Sequence, residues 1–342
     1  MRQRHVRGFT LVELLVVIGI IALLIGILLP TLSRVQEQSR IVKCSANLRS
    51  IGQGFATYLA ENQGVYPPAY VYIADPGRGA PDVGGGTAAT PKRGYRHWSW
   101  FIYSSGSKQN VPEAAFTCPS LPEGGLPPTN PAVQDLITGQ QRDPQADGDA
   151  VDEQIRRLAY TVNEAIMPRN KFNAQVERAG AGGFFNQFVR ASQVRNSSGT
   201  ILATEFGEDW RLVSEPDSGE DNVVKSHRPV HAFRARNANG SVWNLTNASP
   251  DPLQRGFPDF ERVTPGQLTF PPASGESRLN WIGRNHGRAA RNAATNPTGR
   301  PKSNFLYADG HVETKLVEET LSPKFEWGEK IWSLRPNGII EQ

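Results

Sequence analysis

Residues 9–29 read FTLVELLVVIGIIALLIGILL, an apolar run broken by Thr10, Glu13, Gly19 and Gly26 alone. At ~1.5 Å of rise per residue, a helix of this length matches the ~30 Å hydrocarbon core of a bilayer. No later segment has comparable apolar length, so the pattern predicts one N-terminal membrane span and a soluble remainder. Beyond Pro30, apolar residues recur at mainly three- and four-residue steps: Leu32, Val35, Ile41, Cys44, Leu48, Ile51, Phe55 and Tyr58. That spacing predicts an amphipathic helix continuing the first, kinked rather than stopped at Pro30. Its end is predicted at Asn62-Gln63-Gly64, where glycine suits a C-cap ahead of Pro67-Pro68.

From residue 65 the pattern changes. Strand-like runs occur at HWSWFIYSS (97–105), AYTVNEAI (159–166), FVRASQV (188–194), TILATEF (200–206) and SVWNLT (241–246). Before and between them lie loop segments by composition, PDVGGGTAATPKRG and LPEGGLPPTNP, and an acidic excursion over 139–154 leading into a short predicted helix at 151–158. The clearest local signal is SNFLYADGHVETKLV: two alternating runs flank Asp309-Gly310, a pair suited to a type I′ hairpin turn. The expected fold class is α+β, a long N-terminal helix packed on a loop-rich antiparallel β-sheet domain. The expected segments are 1–8, a leader; 9–29, the membrane helix; 30–64, its amphipathic continuation; and 65–342, the body, with a C-terminal hairpin near 303–318.

Composition alters this picture in two places. Apolar residues make up 38% of 342, enough for a sizeable core, while 33 Gly and 26 Pro favour loops and short strands. The formal charge of +4 suggests a basic protein, but Arg2, Arg4 and Arg7 lie in the first eight residues; without them 34 basic residues face 33 acidic ones. A nucleic-acid partner loses its main support. The two cysteines, Cys44 and Cys118, fit neither C-x-x-C nor a Cys/His zinc spacing. Cys44 lies on the apolar stripe, where it reads either as a small buried hydrophobe or as a tether to Cys118, since an oxidising compartment permits one disulfide.

The positive-inside rule places MRQRHVR in the cytoplasm and the body across the membrane. A secretory signal peptide fits poorly, because its apolar core runs only ~7 to 15 residues and ends at a small-x-small site. A plain signal anchor leaves Glu13 unexplained, for a carboxylate inside an apolar helix costs on the order of 2 to 3 kcal/mol on insertion scales. Cleavage between Gly8 and Phe9 would put a new α-amino group one helical turn from Glu13, a natural counter-charge. In these residues RGFTLVELLVVIGIIALLIGILLP resembles the class III signal of type IV pilins and type II secretion pseudopilins. The resemblance implies a prepilin peptidase that cuts after Gly8 and N-methylates Phe9. It also implies that Glu13 pairs with the methylated terminus of an adjacent subunit, in a filament served by an assembly ATPase and a platform protein of the bacterial inner membrane. The competing reading is a membrane-tethered periplasmic binding module that uses the signal only for export and anchoring.

A second resemblance covers more of the chain. CSANLRSIG from Cys44, FTCPS around Cys118, SQVRNSSGTIL from Ser192 and NFLYADGHV around Asp309 resemble, in this order, a bacterial family of pseudopilin-like proteins with a C-terminal "H, nine residues, DG" motif. The motif would comprise His286, Asp309, Gly310 and His311, but 22 residues separate His286 from Asp309, with RAARNAATNPTGRPK reading as an inserted loop. No catalytic residues are expected. His227, His231, His286 and His311 can be assembled with Glu205, Asp309 and Glu313 into a site on paper, yet no H-E-x-x-H, P-loop, nucleophile elbow or dinucleotide fingerprint accompanies them. No cofactor is expected; calcium is the better ligand guess, with Asp147, Asp149 and Asp152 (and Asp143 nearby) as oxygen donors, although the acidic stretch lacks the EF-hand order and reads first as a solvated loop.

Overall fold

The structure, a computed structural model, describes residues 11–73, 93–103, 111–144, 146, 148, 150–170, 185–213, 223–236, 242–243, 259–268, 278–287, 301–335 and 338–341. Helix α1 (Leu11–Glu61) is one continuous element of 51 residues that passes through position 30 without a stop. Glu13 lies in its first turn, where a carboxylate suits the positive end of the helix dipole. The helix ends as a Schellman motif: the Gly64 amide donates to the Leu59 carbonyl at 2.7 Å and the Asn62 amide to Tyr58 at 2.9 Å. Gln63 occupies the left-handed position at φ 54°, with Gly64 following at φ 74°. Glycine therefore closes the helix one position later than a simple glycine cap would.

The apolar stripe past residue 30 is only partly used by the body. Cys44, Leu48, Ile51 and Phe55 are buried, whereas Leu32 and Val35 remain 52% and 64% exposed. The body reaches α1 only from Glu37 onward, so Leu32 and Val35 belong with the uncovered stretch rather than with the core face. Phe55 stacks on Trp98 at 5.5 Å, and Phe116 lies tilted against Trp98 at 6.0 Å, which anchors this end of the helix in an aromatic cluster.

The remaining elements, in chain order, are β1 (Tyr70–Tyr72), β2 (Tyr95–His97), α2 (Trp98–Tyr103), β3 (Tyr160–Val162), β4 (Phe185–Asn186), β5 (Ile201–Glu205), β6 (Phe233–Arg236), β7 (Val242–Trp243), β8 (Asp259–Arg262), β9 (Ser303–Tyr307), β10 (Val312–Lys315), β11 (Lys330–Ile331), β12 (Leu334–Arg335) and β13 (Gly338–Glu341). The central sheet is antiparallel, in the order β10-β9-β5-β3, and α1 packs on β9 and β10. Strands β5 and β9 are buried along their whole length, Ile201, Leu202, Phe305 and Leu306 joining the core while Thr204, Glu205, Ser303 and Asn304 bring polar groups inside. A second sheet runs β11-β13-β8-β6-β7 and includes one parallel pair, β13 with β8. The whole is an α+β arrangement consistent with a pilin-like fold.

Four local expectations fail. The run 97–105 turns from strand to helix at Trp98, because Trp98, Ser99 and Ile102 share the buried face of α2. The run 188–194 carries a 3-10 turn at Ala191–Gln193 instead of a strand, held by the Gln193 side chain accepting from the Arg190 amide at 2.7 Å. No helix forms over 151–158, where Glu153 and Leu158 make isolated bridges to Arg96 and Leu126. Finally, the β9–β10 hairpin closes through three residues, with the Tyr307 amide donating to the His311 carbonyl and the Gly310 amide to Tyr307, both at 2.9 Å. Only Gly310, at φ 95°, is left-handed there, which makes the turn type I with a glycine bulge rather than type I′.

Candidate functional site

From Leu11 to Leu29 the large apolar side chains of α1 are 45% to 78% exposed among the described residues. Among the described residues α1 is the one helix long and apolar enough to cross a bilayer, with a mean hydropathy of 3.1 in its apolar part. Glu13 sits exposed within this band. Gly8 and Phe9 lie outside the described residues.

Where α1 enters the body, its side chains meet a compact polar cluster. Cys44 and Cys118 are disulfide-bonded, with Cα atoms 5.3 Å apart and both side chains fully buried. The helix is tied to the same loop by Asn47, whose Nδ2 donates to the Thr117 carbonyl at 2.6 Å, and by the Tyr160 hydroxyl, 3.3 Å from the carbonyls of both Cys44 and Thr117.

Beside the disulfide lie two ionisable side chains with no solvent exposure, Glu205 at the end of β5 and His286. His286 Nε2 is 3.0 Å from Glu205 Oε1. The carboxylate also accepts from Asn304 Nδ2 at 2.9 Å, from the Asn304 amide at 3.3 Å and from Ser303 Oγ at 3.4 Å. On its other side His286 Nδ1 faces Ser120 Oγ at 3.5 Å and Glu37 Oε1 of α1 at 3.8 Å. Glu37 also accepts the Gly287 amide at 3.1 Å. Burial disfavours the imidazolium, but the two carboxylates outweigh it and raise the His286 pKa above its ordinary value.

The insertion after His286 does not displace it from the sheet. His286 and Lys302 exchange backbone hydrogen bonds of 3.0 and 2.6 Å immediately before β9, so the chain leaves and rejoins at one bridge. Asp309 and His311 lie apart from His286, on the hairpin turn: His311 Nδ1 is 2.6 Å from Asp309 Oδ1 and its ring stacks on Tyr307 at 4.2 Å. Slight burial opposes the shift, yet hydrogen bonds from His311 hold the Asp309 carboxyl below its usual range.

The other histidines serve separate networks. His227 is buried, stacked on Tyr95 at 3.9 Å with Nδ1 2.7 Å from Thr129 Oγ1. His231 stacks on Phe233 at 4.5 Å, with Nε2 3.9 Å from Glu164 Oε2. The acidic stretch is not simply a solvated loop: Asp143 and Asp152 are buried. Asp152 accepts from the Tyr95 and Asn130 amides, each at 2.8 Å, and from Asn130 Nδ2 at 3.1 Å. A carboxylate surrounded by N–H donors is an internal acceptor and a poor calcium ligand. Asp147 and Asp149 lie outside the described residues.

Sequence spacing missed the grouping of Cys44, Cys118, Glu205 and His286. The ligand-capable atoms of these four residues all lie within 4.8 Å of one another.

An α+β body carried on a long helix whose apolar half is exposed is consistent with a pilin-like fold. The family model for the prokaryotic N-terminal methylation motif matches residues 3–29, so the chain carries a type IV pilin-like signal, which implies processing by a prepilin peptidase and assembly with other pilin-like subunits. No curated protein and no solved structure matches the chain.

Proposed function

We propose that this chain is a pseudopilin-like structural subunit of a type II secretion or type IV pilus-like filament. The carrying observation is the exposed apolar band Leu11–Leu29, which lies within the matched methylation motif. In this reading the peptidase cuts between Gly8 and Phe9 and methylates Phe9. The chain enters the inner membrane with residues 1–8 in the cytoplasm, and the body lies in the periplasm. The buried disulfide supports that compartment, since such bonds persist where thiols are oxidised. Glu13 neutralises the amino terminus of a neighbouring subunit, and apolar helix packing forms the filament core. The ATPase and platform protein drive assembly; the subunit contributes no catalysis.

Mass spectrometry of the mature N-terminus tests the processing: the expected product begins at N-methyl-Phe9, whereas an intact Met1 or a cut beyond Pro30 refutes it. Glu13→Val tests the assembly role. The variant should be processed normally and excluded from filaments, and unchanged incorporation would remove that role. Wild-type chains that are processed yet yield only single membrane-bound subunits on cross-linking would favour the tethered-module reading.

A further inference from the structure

The disulfide lies beside a fully buried imidazole and a fully buried carboxylate, an unusual setting for a bond that needs no polar neighbour. We propose that, in its dithiol form, the chain binds one zinc-like divalent cation through Cys44, Cys118, His286 and Glu205. The helix is then fastened to the body by a metal in the reduced state and by the sulfur–sulfur bond in the oxidised state.

The geometry supports this at two levels. Tetrahedral zinc, with bonds of ~2.0 to 2.3 Å, holds its ligand atoms roughly 3.3 to 3.8 Å apart. The four candidate atoms already lie within 4.8 Å of one another, so the sulfurs need only separate and the imidazole and carboxylate close in slightly. The set of two sulfurs, one nitrogen and one oxygen suits a borderline-soft cation and not calcium. Around it, orienting groups are in place: Asn304 fixes the Glu205 carboxylate through its amide and its side chain, and Glu37 Oε1 stands 3.8 Å from the His286 nitrogen that faces away from Glu205. A carboxylate behind a metal-bound histidine is a recurrent support for zinc. All four ligands are buried, so bulk water does not compete at the site.

The chemistry balances without a redox step. Metal entry displaces one proton from each thiol and any proton that His286 carries on Nε2, all released to solvent, and the thiolate sulfurs and the neutral imidazole take up the cation. The competing fate is oxidation by a disulfide-bearing partner, in which the two thiols become one disulfide, the partner is reduced to two thiols, and the metal leaves.

The test uses the full-length chain in detergent, kept reduced by a water-soluble phosphine and titrated with Co2+. One Co2+ per chain, with a thiolate-to-cobalt charge-transfer band and tetrahedral visible bands that vanish on adding Zn2+, is the expected result. His286→Gln and Glu205→Gln should each weaken cobalt binding by at least about tenfold. In the wild-type chain, which needs no variant to fold, Zn2+ should slow alkylation of both cysteines by about tenfold or more. A folded reduced chain without the cobalt bands overturns the proposal, as does a spectrum that survives Cys44→Ser with Cys118→Ser. A reduced chain that loses its fold and does not regain it with metal, or unaltered alkylation in the presence of Zn2+, overturns it equally.

Discussion

Asn47 reaches from α1 to the carbonyl of Thr117, with Nδ2 only 2.6 Å from the oxygen of the residue that precedes Cys118. This hydrogen bond spans 70 residues of sequence and holds the loop against the helix one turn from Cys44. Asn47→Ala removes the shorter of two bonds to this carbonyl, leaving it only the 3.3 Å bond from the Tyr160 hydroxyl. The expected cost is about 1 kcal/mol, read from urea unfolding with the disulfide intact, the net worth of one hydrogen bond whose acceptor keeps a second, longer one. An unchanged urea midpoint would show that the contact adds nothing beyond the disulfide.

The disulfide itself closes a loop between residues 74 apart. Chain-entropy arguments assign such a loop about 4 kcal/mol, with measured values commonly lower. Cys44→Ser with Cys118→Ser, assayed with a chelator present, should therefore lose about 2 to 4 kcal/mol of stability. A loss below about 0.5 kcal/mol would show that the native contacts around α1 suffice without it.

Glu164 is a buried carboxylate facing three cation-capable groups: Arg169 at 2.6 Å, Arg278 at 3.6 Å and His231 at 3.9 Å. Removing it would take the Glu164 carboxylate away from two buried guanidiniums. Glu164→Ala should cost about 3 to 5 kcal/mol, whereas an exposed pair such as Arg211 with Asp209 should change stability by less than about 1 kcal/mol when broken. Equal effects at the two sites would contradict the burial argument.

Acid should unfold the body through His97 and His227. Burial pushes both well below the ordinary imidazole value, and for His227 the Lys225 ammonium adds to the effect. The Ser99 amide donates to His97 Nδ1 at 3.2 Å, which requires the neutral ring. In the unfolded chain both rings take protons as pH falls through about 6.5, while the folded chain resists, so their stabilising contribution is present above that pH and is lost below it. Each contributes a slope of about 1.4 kcal/mol per pH unit in that acid range. His227→Gln should flatten the pH dependence of the unfolding free energy between pH 6 and 5, and an unaltered slope would show that His227 is not the group that titrates.

Gly54 lies where α1 presses on Val111: a Cβ there would come within 2.3 Å of Val111 Cγ2. Alanine in place of glycine gains up to about 1 kcal/mol of helix propensity but forces an overpacking cost of about 1 to 3 kcal/mol. Gly54→Ala should be net destabilising in thermal melts, while Gly19→Ala, with nothing within 4 Å in the subunit, should leave the isolated chain unharmed.

The parts of this fold that are legible in sequence are those whose signals are local. The apolar run, the helix end at Gly64, strands β3 and β5 and the hairpin around Asp309-Gly310 each follow from periodicity or turn chemistry within a dozen residues. The run 97–105 misled because Trp98 and Ile102 suit a buried strand as well as one side of a short helix, and only packing against Phe55 and Phe116 decides between them. Leu32 and Val35 misled for the opposite reason: their spacing continues the stripe, but the sheet does not extend far enough to cover them. The sequence offers the Cys44–Cys118 tether and a pairing of His286 with Glu205 separately, but not their union, because the four members come from four segments spread from residue 44 to residue 286 with no shared spacing.

Cys44 is the first wholly buried residue met along α1 from its N-terminus. A pull applied along the helix axis therefore meets the hydrogen bond of Glu37 to Gly287 and then a covalent bond before it loads the contacts of Leu48, Ile51 and Phe55. The helix is built as a tension member with its fastening at the leading edge, so an axial tug strains the body by shear at one welded point instead of peeling the core away turn by turn.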